Sequence, residues 1–325
     1  MVERIEEGAK KRRVGIYCKD IREIEFELKE KTAKITFISV LKLIAFDHEI
    51  KHLFAFSYSP VYYSSFQKFV FNIDAEYSRL GFFKTNSQWR VSDINAEYTF
   101  CSSYPRRWIV PKTASDLLLQ KVAKFRSKGR LPVATYLYKA NATAMFRSAQ
   151  PLVGITSNRS EEDESYLQLL SQTATKLNFG ETPTLYIVDA RPKVNAVGNK
   201  FRGAGYESVG KGGNYVNCQL EFVNIQNIHV MRTSVKQLHK VCQDRGEYDD
   251  QTWWTYVENT QWLEHIEKVL SGAVRVATLI QRGKPVLVHC SDGFLFPHFF
   301  FVLDFLSFLK VGTEQVSSLL FPRSC

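Results

Sequence analysis

The chain has 325 residues, of which 45% are hydrophobic and 23% charged, and its formal net charge is +10 at pH 7. This balance is ordinary for a soluble globular protein, and the length suits one large domain or two modest ones. The positive charge favours acidic partners such as phospholipid head groups, phosphoinositides or nucleic acid, and by itself does not choose among them.

Cysteine spacing and the distribution of apolar residues exclude several other classes. The six cysteines contain no CxxC pair and no metal-ligand spacing, so the sequence predicts no metal site and a reducing compartment. The first residues lack the apolar segment of a secretory signal. The most apolar window, residues 294–309, contains His298 and Asp304 and is shorter than the roughly 20 residues of a membrane span.

The first third of the chain gives mixed signals. Residues 15–30 alternate apolar and charged side chains, which predicts an exposed edge strand. The apolar run at 35–46 fits a helix or a strand equally well. Residues 72–108 are aromatic and polar, which is typical of surface-wrapping loops and short elements that precede a core.

From Thr113 onward, predicted strands alternate with predicted helices. One predicted helix follows Ser160, which is a suitable N-cap with acidic residues in the next turn. A second predicted helix spans residues 262–283. The predicted strands lie at 131–138, 144–151, 184–191, within 218–231 and at 285–289. This order predicts an α/β fold with a mixed, largely parallel central sheet and flanking helices.

The last of these strands runs directly into Cys290, followed by Ser291, Asp292 and Gly293. A loop of small residues that leads into a helix can direct backbone N–H groups at a phosphate, and the same field favours a thiolate nucleophile. Cysteine-dependent phosphatases combine such a loop with an arginine six residues after the cysteine. Without further context, Cys290 fits an inert buried thiol at least as well.

The octapeptide VLVHCSDG resembles the active-site approach of the myotubularin family of phosphoinositide 3-phosphatases. Further segments resemble that family in the same order: SYPRRWIVPK (103–112), KFRSKGRLPV (124–133), RSAQPLVG (147–154), VDARPKVNAVGNK (188–200), GAGYES (203–208), NIHVMRTSVK (227–236) and WLEHIEKVLSGA (262–273). The resemblance implies a cysteine-dependent phosphatase fold that hydrolyses the 3-phosphate of phosphatidylinositol 3-phosphate and phosphatidylinositol 3,5-bisphosphate. It implies no metal or other cofactor.

The resemblance also assigns site residues and a cellular setting. Cys290 matches the nucleophile that forms a phosphocysteine intermediate. The positions that match the phosphate loop and the substrate contacts are Ser291, Asp292, Gly293, Asn199, Asn227 and Ile228. Family members suggest a cytoplasmic protein attached peripherally to endosomal membrane, in homo- or hetero-oligomers. No nucleic-acid partner is expected, because no nucleic-acid-binding motif accompanies the charge.

The sequence departs from the family pattern at the catalytic positions that follow Gly293. The family pattern continues with Trp-Asp-Arg, whereas this chain has Phe294, Leu295 and Phe296. The aspartate that serves as general acid and the arginine that grips the phosphate are therefore both replaced by apolar residues. We expect the chain to be inactive, because a general acid alone typically contributes roughly 10²–10⁴ in rate.

Three domains are predicted: the end of a lipid-binding PH-GRAM-like domain at 1–56, part of a phosphatase domain at 57–293, and an unrelated apolar tail at 294–325. The 32-residue tail holds eight of the 24 phenylalanines. Such an abrupt change is typical of alternative splicing, intron read-through or a faulty gene model. The rival interpretation is an evolved non-catalytic regulator that pairs with active family members. A phosphatase domain that is incomplete at its C-terminus predicts one uncovered, apolar face of the sheet.

Two basic clusters are candidates for phosphoinositide contact: residues 10–13, KKRR, and the set Arg126, Lys128 and Arg130. The alternative for both is an ordinary solvated surface.

Overall fold

The computed structural model describes residues 2–7, 13–18, 22–46, 72–84, 87–174, 183–243 and 249–293. The chain divides into two compact units, Met1–Phe71 and Asn72–Cys325.

The described residues of the first unit form a three-stranded antiparallel sheet in the order β1-β2-β3 and a helix. Its elements are β1 (Val2–Glu7), β2 (Arg13–Cys18), β3 (Glu23–Glu27) and α1 (Lys31–Ala45). Every side chain of β3 is exposed, which confirms the predicted edge strand, whereas β2 alternates buried and half-buried residues. The apolar run at residues 35–46, which fitted a helix or a strand equally well, lies mostly in α1. The PH-GRAM-like assignment stays a prediction.

The second unit is built on a seven-stranded sheet in the order β4-β5-β6-β7-β10-β8-β9. Its strands are β4 (Trp89–Ser92), β5 (Trp108–Pro111), β6 (Val133–Tyr138), β7 (Thr143–Ala149), β8 (Leu185–Asp189), β9 (Cys218–Phe222) and β10 (Val286–Cys290). The pairs from β4 to β7 are antiparallel, and the pairs β7-β10, β10-β8 and β8-β9 are parallel. The mixed α/β fold with flanking helices is confirmed, and parallel pairing is confined to the half that contains β10.

Helices cover both faces of this sheet. They are α2 (Ile73–Leu80), α3 (Asp116–Lys124), α4 (Glu161–Thr173), α5 (Lys193–Lys200), α6 (Ile228–Gln243), α7 (Asp250–Asn259) and α8 (Trp262–Gln281). On one face, Leu287 of β10 belongs to a core that includes residues of α3 and α4. On the other face, Val286, Val288 and Cys290 pack with residues of α8. All five residues of β10 are buried. The predicted uncovered sheet face is therefore wrong at this strand, because α8 already occupies it.

The predicted N-cap of α4 is confirmed. The Ser160 hydroxyl accepts a hydrogen bond from the Asp163 N–H at 3.2 Å, and four acidic residues fill the first turn. This is the expected pairing of a capping hydroxyl and negative charge with the free N–H groups of a helix start.

The prediction that residues 72–108 form surface loops and short elements holds for most of the described segment, which contains α2 and β4, but it is wrong for several buried side chains. Tyr104 and Trp108 belong to the core, and Asn95 is fully buried. The Asn95 amide accepts from the Cys101 N–H at 2.8 Å and donates to the Pro105 carbonyl at 2.9 Å. These bonds replace water for the backbone, so an irregular segment can be buried without unpaired polar groups.

Candidate active-site loop

The candidate site lies at the carboxyl ends of the parallel strands. The β10 strand is central, with β7 on one side and β8 on the other, and Cys290 is its last residue. The Ala190 N–H, just beyond β8, donates to the His289 carbonyl at 2.9 Å. Ligands bind in open α/β sheets at this edge, because the loops after neighbouring parallel strands converge there.

Gly293 brings its backbone N–H to the cysteine sulfur, with 3.1 Å between N and Sγ. Its φ of +70° lies in the left-handed region, and a Cβ atom would approach the Ser148 carbonyl oxygen to 2.9 Å. Both facts require glycine at this position. The N–H that faces Sγ can donate a hydrogen bond to the sulfur, or to an oxyanion at the same place.

Two arginines hold the loop through its carbonyl groups. Arg147 of β7 donates through Nε to the Gly293 carbonyl at 2.9 Å, and also through its terminal nitrogen. The buried Arg130 donates to the Asp292 carbonyl. Because carbonyl groups that point outward leave N–H groups free to point inward, these arginines favour a phosphate-binding conformation. Their contacts hold the loop and do not replace the missing phosphate clamp at Phe296.

The predicted site residues Asn199 and Ser291 are in contact. Asn199 Nδ2 lies 3.1 Å from the Ser291 hydroxyl and 3.1 Å from Oε1 of Gln150. The Gln150 N–H in turn donates to the Ser291 carbonyl at 3.3 Å. Arg191 also donates to the Gln150 side chain and pairs with Asp189 at 2.6 Å. Helix α5, the end of β7 and the end of β8 therefore meet at the first residue of the loop.

Behind the cysteine lies a buried network of charges. His289 Nε2 is 3.0 Å from Glu207 Oε2, and the other Glu207 oxygen is 2.6 Å from Arg126. Arg126 forms a second, two-pronged contact with Asp163, and Asp163 accepts from the Tyr215 hydroxyl at 2.7 Å. All of these side chains are buried, so each charge depends on its partners.

The network shifts two pKa values in opposite directions. Burial alone would lower the pKa of His289, but the carboxylates of Glu207 and Asp189 outweigh it and raise the pKa above 6.5. Burial would raise the pKa of Glu207, yet His289 and Arg126 hold that pKa far below its ordinary value. The pair is therefore an imidazolium and a carboxylate at pH values between the lowered pKa of Glu207 and the raised pKa of His289.

Asn227 and Ile228 stand at the start of α6. The Asn227 side chain accepts from the N–H groups of His229 and Val230 at 2.9 and 3.1 Å, so it caps the helix. Two residues earlier, the Ile225 N–H donates to the Ala190 carbonyl at 2.8 Å. The helix thus starts near the edge of the sheet that holds Cys290. The assignment of both residues to substrate binding stays a prediction.

The predicted basic surface of Arg126, Lys128 and Arg130 is wrong for two of its members. Arg126 and Arg130 are buried, with 1% and 4% of their surface exposed, because they bond to buried carboxylates and to the loop. Lys128 alone is exposed, and its Nζ lies 2.8 Å from the Asp292 carboxylate. The KKRR cluster, with three of its four residues outside the described ranges, stays a prediction.

Several predictions fall on residues outside the described ranges. These are the positions Phe294, Leu295 and Phe296 and the apolar tail as a whole. The replacement of the family's aspartate and arginine is a fact of the sequence and does not depend on their structure.

Sequence reasoning gave no function to Arg147, Gln150, Arg191 and Glu207. All four lie in segments that resembled the family, and that was the available signal. Arg147 and Gln150 contact the loop directly, whereas Arg191 contacts Gln150 and Glu207 contacts His289. These contacts join residues far apart in the chain.

Comparisons with known proteins agree with this geometry. The profile of the myotubularin-like phosphatase domain matches residues 53–295. Myotubularin of Xenopus laevis is 40% identical over 287 residues, 86% of this chain and 45% of that protein, and myotubularin of Rattus norvegicus is 38% identical over 289 residues, with the same two coverages. Phosphatidylinositol-3,5-bisphosphate 3-phosphatase MTMR2 of Bos taurus is 37% identical over 288 residues, 85% of this chain and 41% of that protein.

The chain thus spans less than half the length of these curated relatives. The match covers the sheet, the cysteine loop and every predicted site residue. The chain belongs to the myotubularin family.

Proposed function

We propose that this chain is a catalytically silent myotubularin that recognises phosphoinositides phosphorylated at position 3. The substrate class comes from the relative named as a phosphatidylinositol-3,5-bisphosphate 3-phosphatase. The observation that carries the proposal is that the cysteine loop is held by residues that precede it, whereas the two catalytic positions that follow it are Leu295 and Phe296.

The proposed lack of catalytic activity follows from the chemistry of phosphate transfer. In an active member, the cysteine thiolate would attack phosphorus, and the inositol oxygen would leave with a proton from the aspartate. An arginine would neutralise the charge that develops on the phosphoryl oxygens. Leu295 has no proton to give, and Phe296 has no positive charge. Each lost charge-assisted hydrogen bond removes about 1.5–3 kcal/mol, and every 1.4 kcal/mol is about tenfold in rate.

Retained recognition follows from the loop. Gly293 directs its N–H to the Cys290 sulfur, and Arg130 and Arg147 bond to the loop carbonyls. Asn199 adds an amide donor beside Ser291. We infer that these contacts hold the loop in a conformation whose backbone N–H groups can bind a phosphate, and the contacts do not depend on the residues after Gly293.

Two measurements with a soluble short-chain phosphatidylinositol 3-phosphate test this function. We expect phosphate release by the wild-type chain to be no faster than by the Cys290→Ser variant. We also expect saturable binding by titration calorimetry, and no such binding of unphosphorylated phosphatidylinositol. Phosphate release that depends on Cys290 would refute the proposed inactivity. Absence of phosphatidylinositol 3-phosphate binding would refute the proposed recognition of the lipid.

The setting of the protein is proposed on the same basis. We infer a cytoplasmic protein on endosomal membrane, with a PH-GRAM-like segment at 1–56 and homo- or hetero-oligomers with active family members. Size-exclusion chromatography of the chain, alone and mixed with an active member, tests the oligomers. Transcripts in which Trp-Asp-Arg follows Gly293 would instead identify this chain as a truncated isoform or a gene-model artefact.

A further inference from the structure

Helix α5 carries a stripe of exposed apolar side chains. Val194, Val197 and Phe201 are exposed to 75%, 40% and 80%. Their spacing of three and four residues places them on one side of the helix, which continues into Phe201 with helical dihedral angles. Ala196, on the inner side, is fully buried. The helix is therefore anchored to the protein by one side, and it presents large apolar groups to solvent by the other.

This stripe borders the cysteine loop. Asn199, on the same helix, bonds to Ser291 at 3.1 Å. Past the end of the helix, the Gly154 N–H donates to the Ala204 carbonyl at 3.0 Å, which brings the 152–157 segment alongside. Ile155 in that segment is 67% exposed. Four exposed apolar side chains thus lie at the rim of the site that would receive a lipid phosphate.

The same region is positively charged. Residues 190–206 contain four basic residues and no acidic residue. Arg191 is buried and paired with Asp189, which leaves Lys193, Lys200 and Arg202 for the surface. Lys200 lies over the Tyr206 ring at 4.4 Å, which keeps its ammonium close to the end of the stripe.

We propose that this α5 stripe, formed by Val194, Val197, Phe201 and Ile155, inserts into the surface of an anionic membrane and presents the Cys290 loop to lipid head groups. Apolar groups beside basic ones match the boundary between acyl chains and anionic head groups. Basic residues near such a surface strengthen its attraction to anionic head groups. A protein partner would explain the apolar stripe alone, whereas a lipid surface also explains the positive charge. The inference rests on the proposed phosphoinositide recognition.

Vesicle sedimentation of the full chain tests the proposal. The probes are phosphatidylcholine vesicles, with and without phosphatidylserine, and both lack phosphoinositide. We expect binding that requires phosphatidylserine, and a loss of at least about tenfold in affinity for Phe201→Ser, given roughly 1.5–3 kcal/mol for burial of one large apolar side chain. Val194→Ser is expected to weaken binding to a smaller extent.

Matched controls separate insertion from general surface effects. Val216 is 64% exposed and Phe83 is 47% exposed, and neither belongs to the stripe. Val216→Ser and Phe83→Ser are expected to bind vesicles as the wild type does. Equal losses in the control and stripe variants would overturn the proposal, and so would failure of the wild type to bind vesicles that contain phosphatidylserine.

A second readout keeps the two proposals distinguishable. Titration with the soluble short-chain phosphatidylinositol 3-phosphate should give the same affinity for Phe201→Ser as for the wild type, because no membrane is involved. Loss of vesicle binding with intact soluble-lipid binding supports the insertion surface. Intact vesicle binding by the Phe201→Ser variant overturns the insertion surface, whether or not the affinity for the soluble lipid changes. Absence of soluble-lipid binding in the wild type refutes only the proposed recognition.

Discussion

His289 Nε2 lies 3.0 Å from Glu207 Oε2, and both side chains are fully buried beside the cysteine that ends β10. Neither charge can reach water, so the stability of this ion pair depends on pH through both partners. Arg126 on the far side of Glu207 extends the pair into a network that includes α4.

The free energy of unfolding should fall as pH rises above about 6.5. The folded state raises the pKa of His289, so the stabilisation is complete below the ordinary value of 6.5 and is lost through the raised pKa. For Glu207 the sign is opposite: its contribution is complete above 4.5 and is lost as pH falls through its lowered pKa. Urea unfolding at a series of pH values should show that the pair stabilises the fold most between pH 4.5 and pH 6.5, the ordinary pKa values of the two groups.

The variant His289→Gln should remove the loss of stability above pH 6.5 that this pair causes. The exposed His239 of α6 provides the control, and His239→Gln should keep the wild-type pH dependence. Identical profiles for wild type and His289→Gln would contradict the ion pair.

Arg126→Met should destabilise the fold by about 3–5 kcal/mol, because it leaves buried carboxylates without their partner. Arg126 and Asp163 join the segment after α3 to α4 without any exposed surface. Lys121 of α3 and Glu162 of α4 form an exposed pair at 3.1 Å in the same region. Lys121→Met should therefore change stability little, and urea unfolding of both variants checks the contrast. Equal effects would show that burial does not set the strength of these pairs.

Gly293→Ala should cost more stability than Gly212→Ala. Both glycines have positive φ, so alanine adds backbone strain of about 1 kcal/mol at either position. Only at Gly293 does the new methyl group meet backbone, at 2.9 Å from the Ser148 carbonyl oxygen, while Gly212 has open space. Thermal unfolding measures the difference. We also expect Gly293→Ala to lose soluble-lipid binding, and equal melting temperatures of the two variants would argue against a close-packed loop.

Asn199→Ala should weaken binding of soluble phosphatidylinositol 3-phosphate about 2- to 10-fold, the value of a hydrogen bond of roughly 0.5–1.5 kcal/mol. The side chain bridges Ser291 and Gln150, so its removal frees the first residue of the loop. Asn195 lies one turn earlier on α5 and is exposed, so Asn195→Ala should bind like the wild type. Calorimetry that finds both variants unchanged would remove Asn199 from the site.

Local signals predicted the elements whose cause is local. The cap at Ser160, the apolar periodicity of α8 and the buried strand that ends at Cys290 depend on residues a few positions apart, and all three are confirmed. The run at 35–46 was ambiguous because helix and strand bury short apolar runs equally well. Within residues 72–108, the burial of Asn95 was missed because it depends on carbonyl groups six to ten residues away.

The sequence alone determined the family, the position of the cysteine at the end of a buried strand, and the absence of the aspartate and arginine from the positions after Gly293. These are properties of residue identity and order. Only the tertiary structure decided which cations meet the loop, because Arg130 and Arg147 reach it from strands and turns more than 140 residues earlier. It also separated the buried Arg126 from the exposed Lys128, since the exposure of a charged side chain depends on the partners that the fold brings to it.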